Sequence, residues 1–380
     1  MKRNLLLTPG PTQIPPKVGA VLGEPIIHHR TPQFQTILKE AVEGLKYIFQ
    51  TQNDVYILTS SGTGAMEAAV CNLLSPGDKA ICVEGGKFGE RWTELCKAYG
   101  MKAEVVKVRW GQSVQPGPIQ KILDTHKDIK AVFITLAETS TGVDTRVKAI
   151  GEVVKNSSAV LVVDAVSGLA ATDLQTDNWN VDVVVSGSQK GLMLPPGLGF
   201  ISVSKKAQGL IDQSTAPKYY FDLKKAKKAA ASTDTPFTPA IGIICALNES
   251  IKMIKADGLE RWLAHDIRLA KGVRAAAKAM GLKLLAEESA LSNAVTAIRV
   301  PEGIDGEKLV RTMRDTHGIT MAGGQGEELK GKIVRIAHMG CLDEYDMLTG
   351  IAVLEKVLKE MGYKFELGAG VAAAQKVFNS

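Results

Sequence analysis

The chain has 380 residues, 45% of them apolar and 23% charged, which excludes a mostly disordered polypeptide, because that much apolar surface builds a core that offsets the entropy of ordering. At about 150 residues per domain the length implies two or three domains. Forty-six basic against 40 acidic residues leave a formal charge of +6, a mild excess that fits an electropositive pocket for a small anion better than a nucleic-acid surface.

The N-terminal MKRNLLLTPGP passes from three leucines directly into Pro and Gly, too short an apolar run for a signal-peptide core. No stretch of 18 apolar residues follows to cross a membrane. From Val55 onward, short β-rich runs alternate with helical ones. VYILT (55–59) leads into a helix through GAMEAAVCNLL, SPGD punctuates, and KAICVE (79–84) is the next strand. GERWTELCKAYG reads as a helix closed by Gly100. KAEVVKV (102–108), a helix after Pro116, AVFITL (131–136), a helix near 146–155, AVLVVDA (159–165), VDVVVS (181–186) and GFISVS (199–204) continue the rhythm. Unbroken Val and Ile runs mark strands covered on both faces. Strand–helix alternation at this spacing implies a mostly parallel sheet flanked by helices.

The character changes after about residue 205. KKAKK (224–228) reads as a solvated helix face, and ASTDTPFTP is turn-rich. A long helical region from Ala240 to Gly281 is broken at Ala256–Asp257–Gly258. A small α/β unit follows, with strands AVTAIRV (294–300) and KIVRIA (332–337) and helices over 305–314 and 344–362; GAGVAAAQKVFNS reads as a terminal helix or tail. The chain therefore divides into an extended segment (1–20), a large domain (21–255) and a small C-terminal domain (256–380). The five cysteines, Cys71, Cys82, Cys96, Cys245 and Cys341, form no CxxC pair and fit small buried hydrophobes in a reducing cytoplasm. No histidine spacing marks a metal site.

Ligands in such sheets bind at the C-terminal ends of strands, and three junctions there carry chemistry. In LTSSGTGAMEAA a strand turns into a helix through Ser60, Ser61, Gly62, Thr63 and Gly64. Glycines admit an anion, hydroxyls donate to it, and the helix N-terminus favours negative charge. The motif lacks GK[ST], and Glu67 stands where GxGxxG needs its last Gly; an ordinary capped turn has the same appearance. In VVDAVSG, Asp164 ends a strongly apolar strand, where a carboxylate either needs a positive partner or caps a loop. In VVVSGSQKGLMLPPG, Lys190 lies between two buried strands, either as an amine with a lowered pKa or as a solvent-facing loop lysine. Together, an anion cradle, a carboxylate and a lysine in this order are what pyridoxal phosphate requires.

Eight ordered segments, LLTPGPTQIPP, SSGTGAMEAA, EGGKFGER, AETSTGV, VVDAVSG, SGSQKGLMLPPG, TPFTPA and KIVRIAHMG, resemble the class V, fold-type I pyridoxal-phosphate aminotransferases of the alanine–glyoxylate and serine–pyruvate group. The resemblance implies a large domain with a mostly parallel seven-stranded sheet flanked by helices, plus a small C-terminal α/β domain. It makes Lys190 the Schiff-base lysine, Asp164 the partner of the pyridine nitrogen, Val166 the residue under one ring face and Phe88 the aromatic over the other. Ser61, Gly62, Thr63 and Gln189 become phosphate contacts, Thr139 a hydroxyl near the cofactor, and Arg335 the clamp on the substrate carboxylate. Thr235 would reach the phosphate of the neighbouring subunit, which implies a homodimer with shared active sites. TPGP and IIHHRTPQF would lie over the site mouth, where His28, His29 and Arg30 either touch substrate or partner or simply hydrogen-bond within the loop. The implied reaction transaminates alanine or serine with glyoxylate or pyruvate. Neither nucleic acid nor membrane is an expected partner.

Four other readings compete. A cysteine desulfurase needs a nucleophilic Cys before the substrate arginine and a His before the lysine, whereas Gln189 precedes Lys190 and Cys341 follows Arg335. A 2-aminoethylphosphonate transaminase shares the TPGP opening. Relatives have been labelled the small subunit of a soluble hydrogenase, although the scattered cysteines offer no iron–sulfur or nickel ligand set. A nicotinamide dehydrogenase lacks its GxGxxG.

Overall fold

The computed structural model describes residues 4–380; residues 1–3 of the N-terminal segment lie outside the described part. The segment runs extended through β1 (Leu5–Leu6) only as far as Pro15, where Pro16 opens helix α1 (Pro16–Leu22). Proline suits that place because its missing N–H has no helical partner in the first turn. The long helix α2 (Pro32–Phe49), which has no counterpart in the reading above, starts the same way. Thr31 caps it by accepting from Phe34 N–H, Pro32 follows, and Phe34, Leu38, Ala41, Leu45 and Ile48 form its buried face.

Next come β2 (Asp54–Ser60), α3 (Gly62–Leu73), β3 (Lys79–Glu84), α4 (Lys87–Ala98), β4 (Lys102–Lys107), α5 (Pro116–Thr125) and β5 (Ile129–Thr135). A two-residue hairpin, β6 (Ala137–Glu138) with β7 (Val143–Asp144), precedes α6 (Val147–Val154), β8 (Val160–Asp164), β9 (Val183–Gly187) and β10 (Gly197–Val203). The seven long strands form one sheet in the order β2-β10-β9-β8-β5-β3-β4. All neighbours are parallel except β10, which is antiparallel to both β2 and β9. Alternate residues serve opposite faces: Ile81, Val132, Leu161 and Val184 pack with α2, α5, α6 and the later helix α9 (Ile241–Asp257), while Cys82, Phe133, Val162 and Val185 pack with α3, α4 and α7 (Lys205–Gln213).

The remaining elements are α7 (Lys205–Gln213), α8 (Leu223–Ala230), α9 (Ile241–Asp257), α10 (Leu259–Ala279), β11 (Val295–Arg299), α11 (Gly306–His317), β12 (Ile319–Thr320), β13 (Ala322–Gly323), α12 (Gly326–Leu329), β14 (Ile333–Ala337), α13 (Glu344–Glu360) and α14 (Ala369–Phe378). The break between α9 and α10 is Gly258, at φ +84°, a conformation in which L side chains are strained. The KKAKK run lies on α8, whose buried residues are Leu223 and Ala226. Strands β11, β14 and β13 make a separate antiparallel sheet. Its core takes in Leu5 and Leu7, because β1 pairs in parallel with β12. The N-terminal strand therefore packs with the C-terminal unit, a long-range contact with no local signature. The terminal residues are helical: α14 packs on α10, with Phe378 filling the space a side chain at Gly272 would need.

Candidate active site

The ends of β2, β8 and β9 bring the three expected junctions together. Ser61 is the N-cap of α3 in an extended conformation, and its side chain makes no capping bond. The first-turn amides of α3 thus keep their capacity to bind an anion. Gly62 is required by close packing, since a Cβ there would lie 2.5 Å from Val166 Cγ2.

Asp164 ends β8, fully buried, and accepts one backbone hydrogen bond, from Val166 N–H at 2.8 Å. Burial pushes its carboxyl up to about 7; Glu138 adds to the rise, while the charges of Arg91 and Lys190 oppose it. Lys190 follows β9. Its amine donates to the carbonyl of Pro9, and burial lowers its pKa to about 8, with Asp164 acting against and Arg335 and Arg91 with that shift. The N-terminal segment is strapped onto this turn: Thr12 N–H donates to Gln189 O and Thr12 Oγ1 to Lys190 O. Gly10, at φ +101°, admits the lysine, because a Cβ there would meet its Cδ at 2.5 Å.

Ser61, Gly62, Thr63, Phe88, Thr139, Asp164, Val166, Gln189 and Lys190 all line a single cavity. Thr235 does not. It faces a separate groove with Val55 and Asp234, and its hydroxyl donates to Phe237 O. The segment carrying it is tied to Arg30 by an ion pair with Asp234 at 3.5 Å, and His28 Nδ1 accepts from Arg30 N–H. Arg335, buried in the middle of β14, reaches the cavity wall by donating from Nη1 to Thr139 O (3.0 Å) and from Nε to Gly323 O (2.9 Å). Burial draws its pKa down to about 10, so the guanidinium stays charged at neutral pH.

The cavity also contains Met66, Arg91, Ala137 and Ser167, which the sequence reading passed over. Ser167 shares a hydrogen bond with Thr139 at 2.6 Å. Arg91 had a signal, being three residues after Phe88 and so on the same face of α4. Glu138 had none. Fully buried, it accepts from the backbone N–H of Phe88, Gly89 and Ser140 and from the Ser140 hydroxyl. This remote cap explains why α4 begins at Lys87, two residues ahead of GERW.

These residues fit pyridoxal phosphate on structural grounds of their own. Gln189 Oε1 is buried at the cavity without a hydrogen-bond partner, α3 offers uncapped amides for a phosphate, Asp164 retains accepting capacity, and Lys190 presents an amine. Among the described residues no cluster of three or more His, Cys, Asp or Glu is placed to hold a metal, and no helix is long and apolar enough to cross a membrane.

Comparison with known proteins agrees with that geometry. The sequence pattern described as aminotransferase class-V matches residues 6–331. A Synechococcus protein named "Soluble hydrogenase, small subunit" is 45% identical, over 100% of this chain and 99% of its own length. The L-aspartate–glyoxylate aminotransferase of Paracoccus denitrificans is 40% identical, over 98% of this chain and 96% of its own. Among solved structures, the ureidoglycine–glyoxylate aminotransferase of Bacillus subtilis superposes with a TM-score of 0.96 at 30% identity, covering 100% of this chain and 99% of that one.

Proposed function

Since the chain belongs to the class V aminotransferase family and is a pyridoxal-phosphate-dependent aminotransferase, we propose that it transfers the amino group of alanine or serine to glyoxylate or pyruvate, with Lys190 as the catalytic amine. The observation that carries this reading is the shared cavity in which buried Lys190 and Asp164 face the uncapped start of α3. Glyoxylate as acceptor is further supported by its place in the names of two of the relatives described above.

Bound in that cavity, pyridoxal phosphate supplies the electron sink that makes the α-proton of an amino acid removable. Ser61, Gly62, Thr63 and Gln189 would hold its phosphate, Val166 and Phe88 would pack against its ring, and Thr139 would offer a hydroxyl close to it. Asp164 would keep the pyridine nitrogen protonated, a role for which it has spare lone pairs. Lys190 takes the substrate's α-proton and returns it. A lysine lowered to about 8 works close to neutral pH in both directions. Arg335 grips the substrate carboxylate; the carbonyls of Gly323 and Thr139 fix its plane and leave Nη2 for the ligand. Thr235, away from its own chain's cavity, serves the phosphate site of the partner in a homodimer. We place the reaction in the cytoplasm, with which five unpaired cysteines agree.

The test is a half-reaction screen. Alanine, serine, aspartate and 2-aminoethylphosphonate are added singly to the loaded protein, following the visible absorbance of the cofactor and the oxo product. Alanine or serine should convert the cofactor, and glyoxylate should restore it, with ping-pong kinetics overall. Conversion by aminoethylphosphonate alone or by aspartate alone would replace the donor assignment. A pull-down that recovers a stable redox partner would instead support the companion-subunit reading. Lys190→Ala should lose turnover by roughly 10³-fold or more; full turnover in that variant would sink the reading.

A further inference from the structure

Arg91 lies one helical turn beyond Phe88 on α4 and lines the cofactor cavity. Its Nη1 donates to Thr63 Oγ1 at 3.0 Å, which holds the guanidinium against the first turn of α3. Its Cζ stands 5.0 Å from the centre of the Phe88 ring, a cation–π distance. Its charge acts on the buried carboxylate of Asp164, but among the described residues no carboxylate forms an ion pair with it.

The cavity already contains the buried Asp164 carboxylate, with the Glu138 carboxylate close behind its wall. The N-terminus of α3 contributes only about half a positive charge, too little to hold a near-dianionic phosphate beside buried carboxylates. Two cationic side chains line the cavity, Lys190 and Arg91. Lys190 is engaged elsewhere, hydrogen-bonded to Pro9 O. Arg91 is the one at the cradle. Its planar fork has donors beyond the one given to Thr63, and guanidinium–phosphate contacts are charge-assisted and directional.

We propose that Arg91 is the cation that binds the phosphate of the cofactor, bridging from Thr63 to the phosphate oxygens while it packs on Phe88. One side chain then links the anchor of the cofactor to the aromatic that covers its ring. This assignment rests on the pyridoxal-phosphate reading of the site.

Titration of the apoprotein with pyridoxal phosphate, with pyridoxal (the same ring without phosphate) and with inorganic phosphate tests it. Arg91→Gln should weaken pyridoxal phosphate by about 10- to 100-fold, remove thermal stabilisation by inorganic phosphate, and leave pyridoxal affinity within about twofold. Arg91→Lys, which keeps the charge without the fork, should fall between. Unchanged pyridoxal phosphate affinity in Arg91→Gln overturns the proposal. So does an equal loss for pyridoxal, which would make Arg91 a support for Phe88 only. If the wild-type apoprotein binds no pyridoxal phosphate, the functional reading itself fails. A measurement on the wild type stands apart from how the variants fold: modification of Arg91 by phenylglyoxal, read by peptide mass, should be slowed by inorganic phosphate and not by chloride at equal ionic strength. Equal labelling in both salts rejects the assignment.

Discussion

Two carboxylates are buried beside the same cavity, and their surroundings differ in one respect. Glu138, at the end of β6, is saturated: three backbone amides and a hydroxyl point at its two oxygens. Asp164, at the end of β8, accepts a single amide, from Val166. Both are pushed up by burial. Glu138 spends its lone pairs on holding the start of α4 and the 138–140 turn in place, and so positions Phe88 and Arg91. Asp164 keeps lone pairs in reserve at a site where a ligand proton can use them. Between these two carboxylates at the cavity, unmet hydrogen-bonding capacity, rather than burial, separates the one placed for chemistry from the one placed for structure.

Asp164→Asn tests that distinction most severely. Turnover should fall by roughly 10²- to 10⁴-fold, because an amide cannot hold the pyridine nitrogen protonated. The stability of the apoprotein should move the other way. The carboxyl of Asp164 is raised from 3.8 to about 7, so between those values the folded state binds more protons than the unfolded state. Stability is therefore lost as pH rises through that window, and above pH 7 the full penalty is present. The substitution removes the penalty, so the variant should match wild type near pH 4 and exceed it above pH 7 by up to about 4 kcal/mol. Denaturant melts of apoprotein at pH 4.5 and 8 measure this; a variant less stable at both would mean that Asp164 is as structural as Glu138.

Glu138→Gln should do the reverse. An amide nitrogen would face amide donors, and the variant should lose about 2–3 kcal/mol at neutral pH. Its turnover should fall less than that of Asp164→Asn, and through weaker cofactor retention as Phe88 and Arg91 lose their fixed position. Melting of apoprotein against a cofactor titration separates the two effects. A variant with wild-type stability and lost turnover would show Glu138 to be chemical after all.

The same contrast explains what was legible in the sequence. The long strands, the helices between them and the anchor residues at their ends announce themselves locally, through unbroken Val and Ile runs and the polar junctions SSGTG, VVD and SQK. Phe88 and Arg335 became legible only once the resemblance supplied their roles. Glu138 stayed hidden because two of its four donors, the amides of Phe88 and Gly89, lie some fifty residues earlier, and nothing in AETSTG points to GGKFG. Leu5 and Leu7 were hidden likewise, since β1 pairs with β12 from the far end of the chain. Helix α2 was readable, with Thr31–Pro32 ahead of apolar residues at 34, 38, 41, 45 and 48. The prolines before it drew attention to an extended path instead.

Ser140→Ala is the smallest expected change and the sharpest probe of the comparison. The hydroxyl donates to Glu138 and accepts from Lys87 N–H at 3.0 Å. Its loss removes one of the four donors to Glu138 and one support of the first turn of α4. Lys87 is exposed, so water can replace the acceptor for its amide. Ser140 itself is buried, so the hydrogen bond it donates to Glu138 has no such substitute. The net effect should be about 1 kcal/mol of stability, with pyridoxal phosphate affinity within about twofold of wild type, because Phe88 and Gly89 still bond to the carboxylate. A loss as large as in Glu138→Gln would mean that the hydroxyl, and not the backbone amides, holds the carboxylate in place. The start of α4, and with it Phe88 and Arg91, would then depend on a single side-chain contact.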